Sequence, residues 1–196
     1  MKTRRQKKSN LTLILMLVLT LAIVAVLLFW NPAAAKAEPA APQTQEQVEA
    51  STIIKAGMEA PDFTVEMFDG KSIRLSDLRG KVVLVNLFAT WCGPCQKELA
   101  DVQSTLWPKY KDNKDFVMLV IGREHSDEDL KKYNERKKFT FPLYPDPKRE
   151  VFSMFAEKSI PRAYLFGKDG KLIYSSVGYT AEEFQKLMET IATALK

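Results

Sequence analysis

The sequence predicts an α/β domain built on a mixed β-sheet flanked by helices on both faces, led by an N-terminal β-hairpin and preceded by an N-terminal transmembrane helix. Three observations carry this. Residues 81–88 (KVVLVNLF) and 116–121 (FVMLVI) are nearly continuous apolar runs rich in valine, the composition of strands covered on both faces. Amphipathic segments of helical period follow them, and the chain closes on a hairpin and a helix, an order that combines parallel crossovers with antiparallel pairing. Residues 11–30 are apolar apart from Thr12 and Thr20, and such a length of helix rises about 30 Å, one bilayer crossing.

Short alternating segments at 63–68 and 72–75 flank Asp69-Gly70, a tight-turn dipeptide, and predict the first hairpin. The strand at 81–88 leads into a helix over about 93–110, bent at Pro108. After the strand at 116–121, Ser126-Asp127-Glu128 opens a strongly charged helix to about residue 138, with Leu130 and Tyr133 on its inner side. Three prolines between 139 and 147 predict a loop or a short edge segment. Residues 148–158 read as a helix with Val151, Phe152 and Phe155 inward, and Lys168-Asp169-Gly170 joins strands at 162–166 and 172–177. The closing helix, 180–195, spaces Phe184, Leu187, Met188, Ile191 and Leu195 at helical period.

The net charge of +5 has a local origin: Lys2, Arg4, Arg5, Lys7 and Lys8 account for it and leave 24 basic against 24 acidic residues elsewhere. No basic stripe with interleaved aromatics follows, so no nucleic-acid partner is expected. Because those five charges precede the apolar run and few basic residues follow it, the N-terminus is expected to stay cytoplasmic and the remainder to lie outside. The expected organisation is a cytoplasmic basic segment (1–10), a transmembrane signal anchor (11–30), a flexible Ala/Pro/Gln/Glu linker (31–56) and a globular domain (57–196). A cleaved signal peptide is the alternative: Ala33 to Ala37 offers small-residue cleavage sites, although signal apolar regions usually run only about 7–15 residues.

Cys92 and Cys95, in FATWCGPCQKEL (88–99), are the only cysteines. A structural zinc takes about four ligands, and the only histidine is His125. A static disulfide across so short a loop removes little denatured-state entropy. A redox dithiol suits the context better. Cys92 follows a buried strand and stands at a helix start, where free N–H groups and the helix dipole favour a thiolate; thiol pKa values there fall from about 8.5 to roughly 3.5–7.5. Cys92 is then the nucleophile, and Cys95, one turn into the helix on its core side with Leu99 and Val102, resolves the mixed disulfide. Gly93 and Pro94 shape the turn between them, proline being tolerated where no N–H is needed.

Trp91-Cys92-Gly93-Pro94-Cys95 after a valine-rich strand resembles thioredoxin. Over 57–196 the chain is most similar to the membrane-tethered, extracytoplasmic thiol-disulfide oxidoreductases of the TlpA/ResA type, through GMEAPDFTV, VNLFATWCGPCQKEL and IPRAYLFGKDGKLIY. The resemblance implies a thioredoxin-like sheet, a redox-active Cys92–Cys95 disulfide, and a substrate-binding surface of Trp91, Gly93, Pro94, Ile160 and Pro161. Ile160-Pro161 matches the family's cis-proline, which faces the dithiol and docks an extended substrate strand; from sequence alone Pro161 reads equally well as a strand-start proline. Glu98, three positions after Cys95, falls where the family carries an acidic residue that passes protons during exchange; without the resemblance it reads as a surface glutamate. Asn86 replaces thioredoxin's buried aspartate, as in many TlpA-like chains. The chain departs from the family at two places: Ala100 stands where a helix-kinking proline is common, and Arg162 replaces the usual threonine after Pro161, which would alter the charge beside the substrate groove. Arg123, Glu124 and His125 follow the strand ending at Ile121, whose end in a parallel sheet lies on the same edge as Cys92, within reach of substrate or in a solvated loop.

The resemblance implies protein-disulfide reduction without metal or cofactor. Implied partners are disulfide-containing exported proteins, apocytochrome c among them, and a membrane electron-transfer protein that restores the dithiol, at the extracytoplasmic or periplasmic face of a bacterial cytoplasmic membrane. Two rival readings are a peroxiredoxin-like thiol peroxidase, which shares the APDF opening, and a metal-carrying or binding module. The peroxidase pattern requires proline at position 85 and threonine at position 89, where this chain has Val85 and Ala89. Copper chaperones of this fold space their cysteines more widely.

Overall fold

The computed structural model describes residues 16–25, 44–66 and 70–196. Residues 16–25 are helical with exposed side chains; the other parts of the expected anchor, the basic segment and the linker as far as residue 43 lie outside the described residues. Among the described residues no helix is long and apolar enough to cross a membrane. The chain divides into Met1–Pro42 and Gln43–Lys196, and the second unit carries the sheet.

Among the described residues seven strands form a two-stranded sheet, β1 (Thr64–Glu66) with β2 (Ser72–Arg74), and a five-stranded sheet. The larger sheet has the order β5 (Leu143–Asp146), β4 (Phe116–Arg123), β3 (Val82–Phe88), β6 (Arg162–Phe166), β7 (Leu172–Val177). β3 is central and buried at every residue, as its unbroken apolar run requires. It pairs in parallel with β4, and β4 with β5, whereas β6 runs antiparallel to both β3 and β7. The mixed sheet expected from the element order is therefore present.

The pleat of β3 sorts the core into two layers. Val82, Leu84 and Phe88 face one side with both cysteines. That side is covered by α2 (Gly93–Asp101), α3 (Asp127–Lys137) and α5 (Ala181–Ala194) through Leu99, Leu130, Tyr133, Leu187 and Ile191. Val83, Val85 and Leu87 face the other, against Phe63 and Val65 of the hairpin and Val151, Phe152 and Phe155 of α4 (Glu150–Phe155). The pleat of β6 matches: Ala163 and Leu165 join the cysteine layer, Tyr164 and Phe166 the opposite one.

Three local expectations are refined. The helix after Cys92 widens upstream of Pro108, into a π-turn (Val102–Leu106) before the last α-turn (Trp107–Tyr110). Pro108 has no N–H for the preceding turn and its ring crowds the carbonyl four residues back, so the helix relaxes upstream. The proline-rich stretch after residue 139 contains a true strand, β5, and its Pro145 is tolerated because β5 is the sheet edge. α4 stops at Phe155, short of residue 158. In the first hairpin Gly70 takes φ +80°, and the rest of the turn, including Asp69, lies outside the described residues.

The linker boundary at residue 56 moves to about 43. α1 (Gln45–Ala50) starts at a Thr44 capping box, and the stretch after it docks on the domain by backbone bonds. The Ile53 N–H donates to the Phe155 carbonyl at 2.9 Å, the Glu157 N–H to the Ser51 carbonyl at 3.0 Å, and Ile54 is buried.

Candidate active site

The parallel β3–β4 pair brings Phe88 opposite Gly122, so the loops leaving both strands emerge side by side. Residues 89–92 turn from β3 into α2, with Cys92 as the N-cap in extended conformation and Pro94 in the first helical turn. Cys92 and Cys95 are joined as a disulfide with Cα atoms 5.3 Å apart. The Cys92 sulfur accepts the Cys95 N–H at 3.2 Å, taking up one of the donors a helix start leaves unpaired. Cys95 is fully enclosed, whereas Cys92 reaches the surface at 5 % exposure among exposed Trp91, Gly93 and Pro94. Cys92 thus keeps slight exposure beside exposed neighbours, and Cys95, one turn into the helix, keeps none.

Ile160-Pro161 is the cis peptide bond of the described residues. Arg162 pairs with Leu87 across β3–β6, which sets Pro161 level with Phe88, and Ile160 packs on the cluster that contains Cys92 and Cys95. All five expected substrate-surface residues, Trp91, Gly93, Pro94, Ile160 and Pro161, therefore lie at one end of the sheet around the disulfide.

Glu98 is 3 % exposed, one turn beyond Cys95 on the same helix side, and so is not a surface glutamate. Burial pushes its carboxyl up to about 7, and the neighbouring Asn86 amide pulls weakly the other way. Neither polar atom of Asn86 nor Glu98 Oε2 completes a hydrogen bond. Two tyrosines border this pocket. Tyr174 donates to the Glu183 carboxylate at 2.8 Å, and Tyr179 to Asp101. The Tyr174 hydroxyl is pushed up chiefly by burial and its bond to Glu183; that of Tyr179 rises to about 12, chiefly through its bond to Asp101; the Glu98 charge adds to both. Glu98 is thus buried within electrostatic reach of two hydroxyls that resist losing a proton.

The loop after β4 contributes more than its sequence indicates. His125 is buried, and its Nε2 accepts the Thr90 N–H at 2.9 Å. The Thr90 carbonyl accepts from Gln96 Nε2 at 3.2 Å, and Lys137 Nζ donates to Gln96 Oε1 at 2.7 Å. Both polar groups of the Thr90 backbone, two residues before the nucleophile position, are therefore fixed from neighbouring elements. Gly122 makes room for this: a Cβ there would meet Leu130 Cδ2 at 2.8 Å and His125 Cδ2 at 3.4 Å. An accepting Nε2 is unprotonated, so the neutral ring carries its proton on Nδ1. Burial lowers the His125 pKa, Asp129 and Glu124 draw it back up, and Arg123 adds to the lowering. His125→Ala leaves the Thr90 N–H without an acceptor and is expected to destabilise the fold by about 1–3 kcal/mol in urea titrations, with faster exchange at the Thr90 amide. Because the folded chain resists protonating this ring, the wild type is expected to lose stability as pH falls below the ordinary histidine value of 6.5, and the variant to lack that component.

Arg123 lies over the Trp91 ring at 5.7 Å and the Phe152 ring at 4.7 Å, and pairs with Glu124 at 3.1 Å. It holds the exposed indole beside the disulfide, so this loop reaches the substrate edge instead of only lining solvent. Arg162 does the opposite of what its sequence position indicates. The pleat of β6 turns it to the face away from the cysteines, fully buried, so it adds no charge to the groove. Among the described residues no group of three or more His, Cys, Asp or Glu side chains is placed to hold a metal ion.

A model of the AhpC/TSA family matches residues 56–175. The thiol-disulfide oxidoreductase ResA of Bacillus thuringiensis (strain Al Hakam) is 32% identical over 130 residues, 66% of this chain and 74% of that protein. ResA of Bacillus subtilis (strain 168) is 30% identical over 131 residues, covering 66% and 71%. Among solved structures, a candidate protein disulfide isomerase from Bacteroides thetaiotaomicron superposes with a TM-score of 0.71 at 37% identity, over 74% of this chain and 92% of that one. A candidate thiol:disulfide interchange protein DsbE from Chlorobium tepidum gives 0.63 at 27% identity, over 74% and 100%.

Proposed function

We propose, from the premise that this chain belongs to the AhpC/TSA family and is a ResA-like thiol-disulfide oxidoreductase of the thioredoxin fold, that Cys92 and Cys95 reduce disulfides of exported proteins outside a bacterial cytoplasmic membrane. The observation that carries this reading is the asymmetry of the pair: Cys92, a helix N-cap that keeps slight exposure beside exposed Trp91, Gly93 and Pro94, and Cys95, fully enclosed one turn into the helix. In the reduced protein the Cys92 thiolate attacks one substrate sulfur, and the other leaves as a thiolate that takes up a proton. Cys95 then loses its proton to Glu98 and attacks Cys92 Sγ; the second substrate sulfur leaves, and the enzyme is left as the disulfide. Two electrons pass to the substrate, so each turnover consumes a dithiol that an outside reductant restores.

In an oxidising compartment that reductant is a membrane electron-transfer protein, and the apolar run at 11–30 is the anchor that keeps the domain near it. Oxidised haem-attachment cysteines of apocytochrome c are a fitting substrate, being a closely spaced pair in an extended segment that could lie along Ile160-Pro161. The peroxidase alternative lacks support in the residues, since Val85 and Ala89 are fully buried and apolar and offer a peroxide no hydroxyl.

Cys95→Ser removes the resolving thiol and is expected to accumulate a Cys92-linked mixed disulfide with exported proteins, released by dithiothreitol and identified by mass spectrometry. Capture of apocytochrome c fragments bears out the finer reading. Absence of any dithiothreitol-sensitive adduct from the full chain in its membrane sinks the reductase mechanism.

A further inference from the structure

Arg162 is a fully buried guanidinium whose hydrogen bonds, among the described residues, run to neutral oxygens. Nε donates to the carbonyls of Lys158 at 3.1 Å and Ser159 at 2.9 Å, and Nη2 to the Lys158 carbonyl at 2.8 Å. These are the residues just before Ile160-Pro161, and Ser159 holds a left-handed backbone, φ 69°, that a side chain rarely adopts. The same guanidinium reaches 110 residues back: Nη1 donates to Thr52 Oγ1 at 2.8 Å and Nη2 to Ser51 Oγ at 2.9 Å. Those hydroxyls in turn donate to the Val48 carbonyl in α1, at 2.7 and 2.8 Å. Nη1 also donates to Tyr164 Oη at 3.1 Å.

We infer that Arg162 is a positioning residue for substrate docking: it clamps the Lys158–Ser159 turn, and with it the Ile160-Pro161 edge, to the end of the N-terminal segment at Ser51 and Thr52. The inference rests on the proposed docking role of Ile160-Pro161. Three features set this clamp apart from ordinary core packing. Its bonds run to the backbone of one short turn. It adds a side-chain link between that turn and Ser51 and Thr52, beside the backbone bonds that already join this segment to Phe155 and Glu157. Every N–H of the guanidinium has an acceptor, so the adjoining groove of about 710 Å³, lined also by Glu49, Lys55 and Ser175, receives no free donor from it. A positively charged anchor with no carboxylate partner keeps its strength only while the oxygens stay in place, which makes the turn and the segment order one another.

Two backbone bonds report on the clamp without any assay of activity: Glu157 N–H to the Ser51 carbonyl, and Gly178 N–H to the Pro161 carbonyl at 2.9 Å. In the full chain, Ser51→Ala/Thr52→Ala removes only the hydroxyl end, and Arg162→Gln removes the whole fork. Both are expected to speed hydrogen exchange at Glu157 and Gly178 while amides of β3 stay protected. Both are expected to raise KM for insulin about tenfold while reduction of the small disulfide dithiobis(nitrobenzoate), which needs no docking strand, changes less than about twofold. Unchanged exchange at Gly178 in the double variant, or equal losses on both substrates in proportion to lost folded protein, overturns the inference. Should the wild type reduce neither substrate, the proposed function fails, and the exchange at Gly178 still decides the clamp.

Discussion

Cys92→Ser is expected to bring insulin reduction down to the uncatalysed rate, a loss of about 10³-fold or more, with no measurable change in fold. The size of the effect follows from what the sulfur does: a serine hydroxyl at this site is neither ionised near neutral pH nor able to form the mixed disulfide. What makes Cys92 reactive is a contest between two effects. Its low exposure disfavours the charged form, and the helix start favours it through the Cys95 N–H aimed at the sulfur at 3.2 Å and the aligned peptide dipoles behind it. The donor is direct and the burial of Cys92 is incomplete, with Trp91, Gly93 and Pro94 beside it exposed, so ionisation is expected to win. Rates of iodoacetamide alkylation against pH, measured on reduced protein with Cys95→Ser, are expected to give a midpoint at least about one unit below the free value near 8.5. A midpoint at the free value would falsify the helix-start account; insulin turnover surviving in Cys92→Ser would remove Cys92 from the mechanism.

The parts of this site that were legible in the sequence are those fixed by neighbours in the chain. The valine-rich strand, the helix start and the cysteine spacing are local, and together they place Cys92 and Cys95 without reference to anything distant. The parts that were not legible depend on contacts across the fold. His125 gave only its position at the end of a parallel strand; its bond to Thr90 spans 35 residues and needs the missing side chain of Gly122. Residues 44–56 have a linker's composition, and nothing in it shows the backbone carbonyls and the buried Arg162 that hold them. For Arg162 a signal existed. In RAYLF the alternation puts arginine with Tyr164 and Phe166 and opposite Ala163 and Leu165, and the small residue belongs under the helix that carries the cysteines. Family position alone had put its charge in the groove; strand period puts it on the far face. Glu98 shows the reverse dependence, since helix period sets it on the side of Cys95 and Leu99 and only the resemblance gave a reason to take that literally.

Glu98→Gln is expected to make the protein more stable and less active, and the two changes share one cause. A carboxyl raised from 4.5 to about 7 by burial is held protonated by the fold. Its contribution is fully present below pH 4.5, where both states are protonated, and is lost as pH rises toward and through 7, because the folded chain must then ionise the group in an apolar pocket or keep a proton that the unfolded chain releases. Wild type is therefore expected to lose about 3 kcal/mol of unfolding free energy between pH 4.5 and 8, a window the glutamine variant crosses without that loss. Activity moves the other way. The resolving step needs a base under Cys95, and a carboxyl near 7 is half in the accepting form at neutral pH. Glutamine accepts no proton, so resolution is expected to slow about 10²-fold, the mixed disulfide to accumulate in single turnover, and the inflection of the rate near pH 7 to vanish. Equal stability of the two proteins at pH 8 means that Glu98 is solvated rather than buried in solution; an unchanged inflection means that another group moves the proton. Loss of activity together with loss of stability at every pH reduces Glu98 to packing, and with it the reason for keeping a destabilising carboxyl beneath a dithiol.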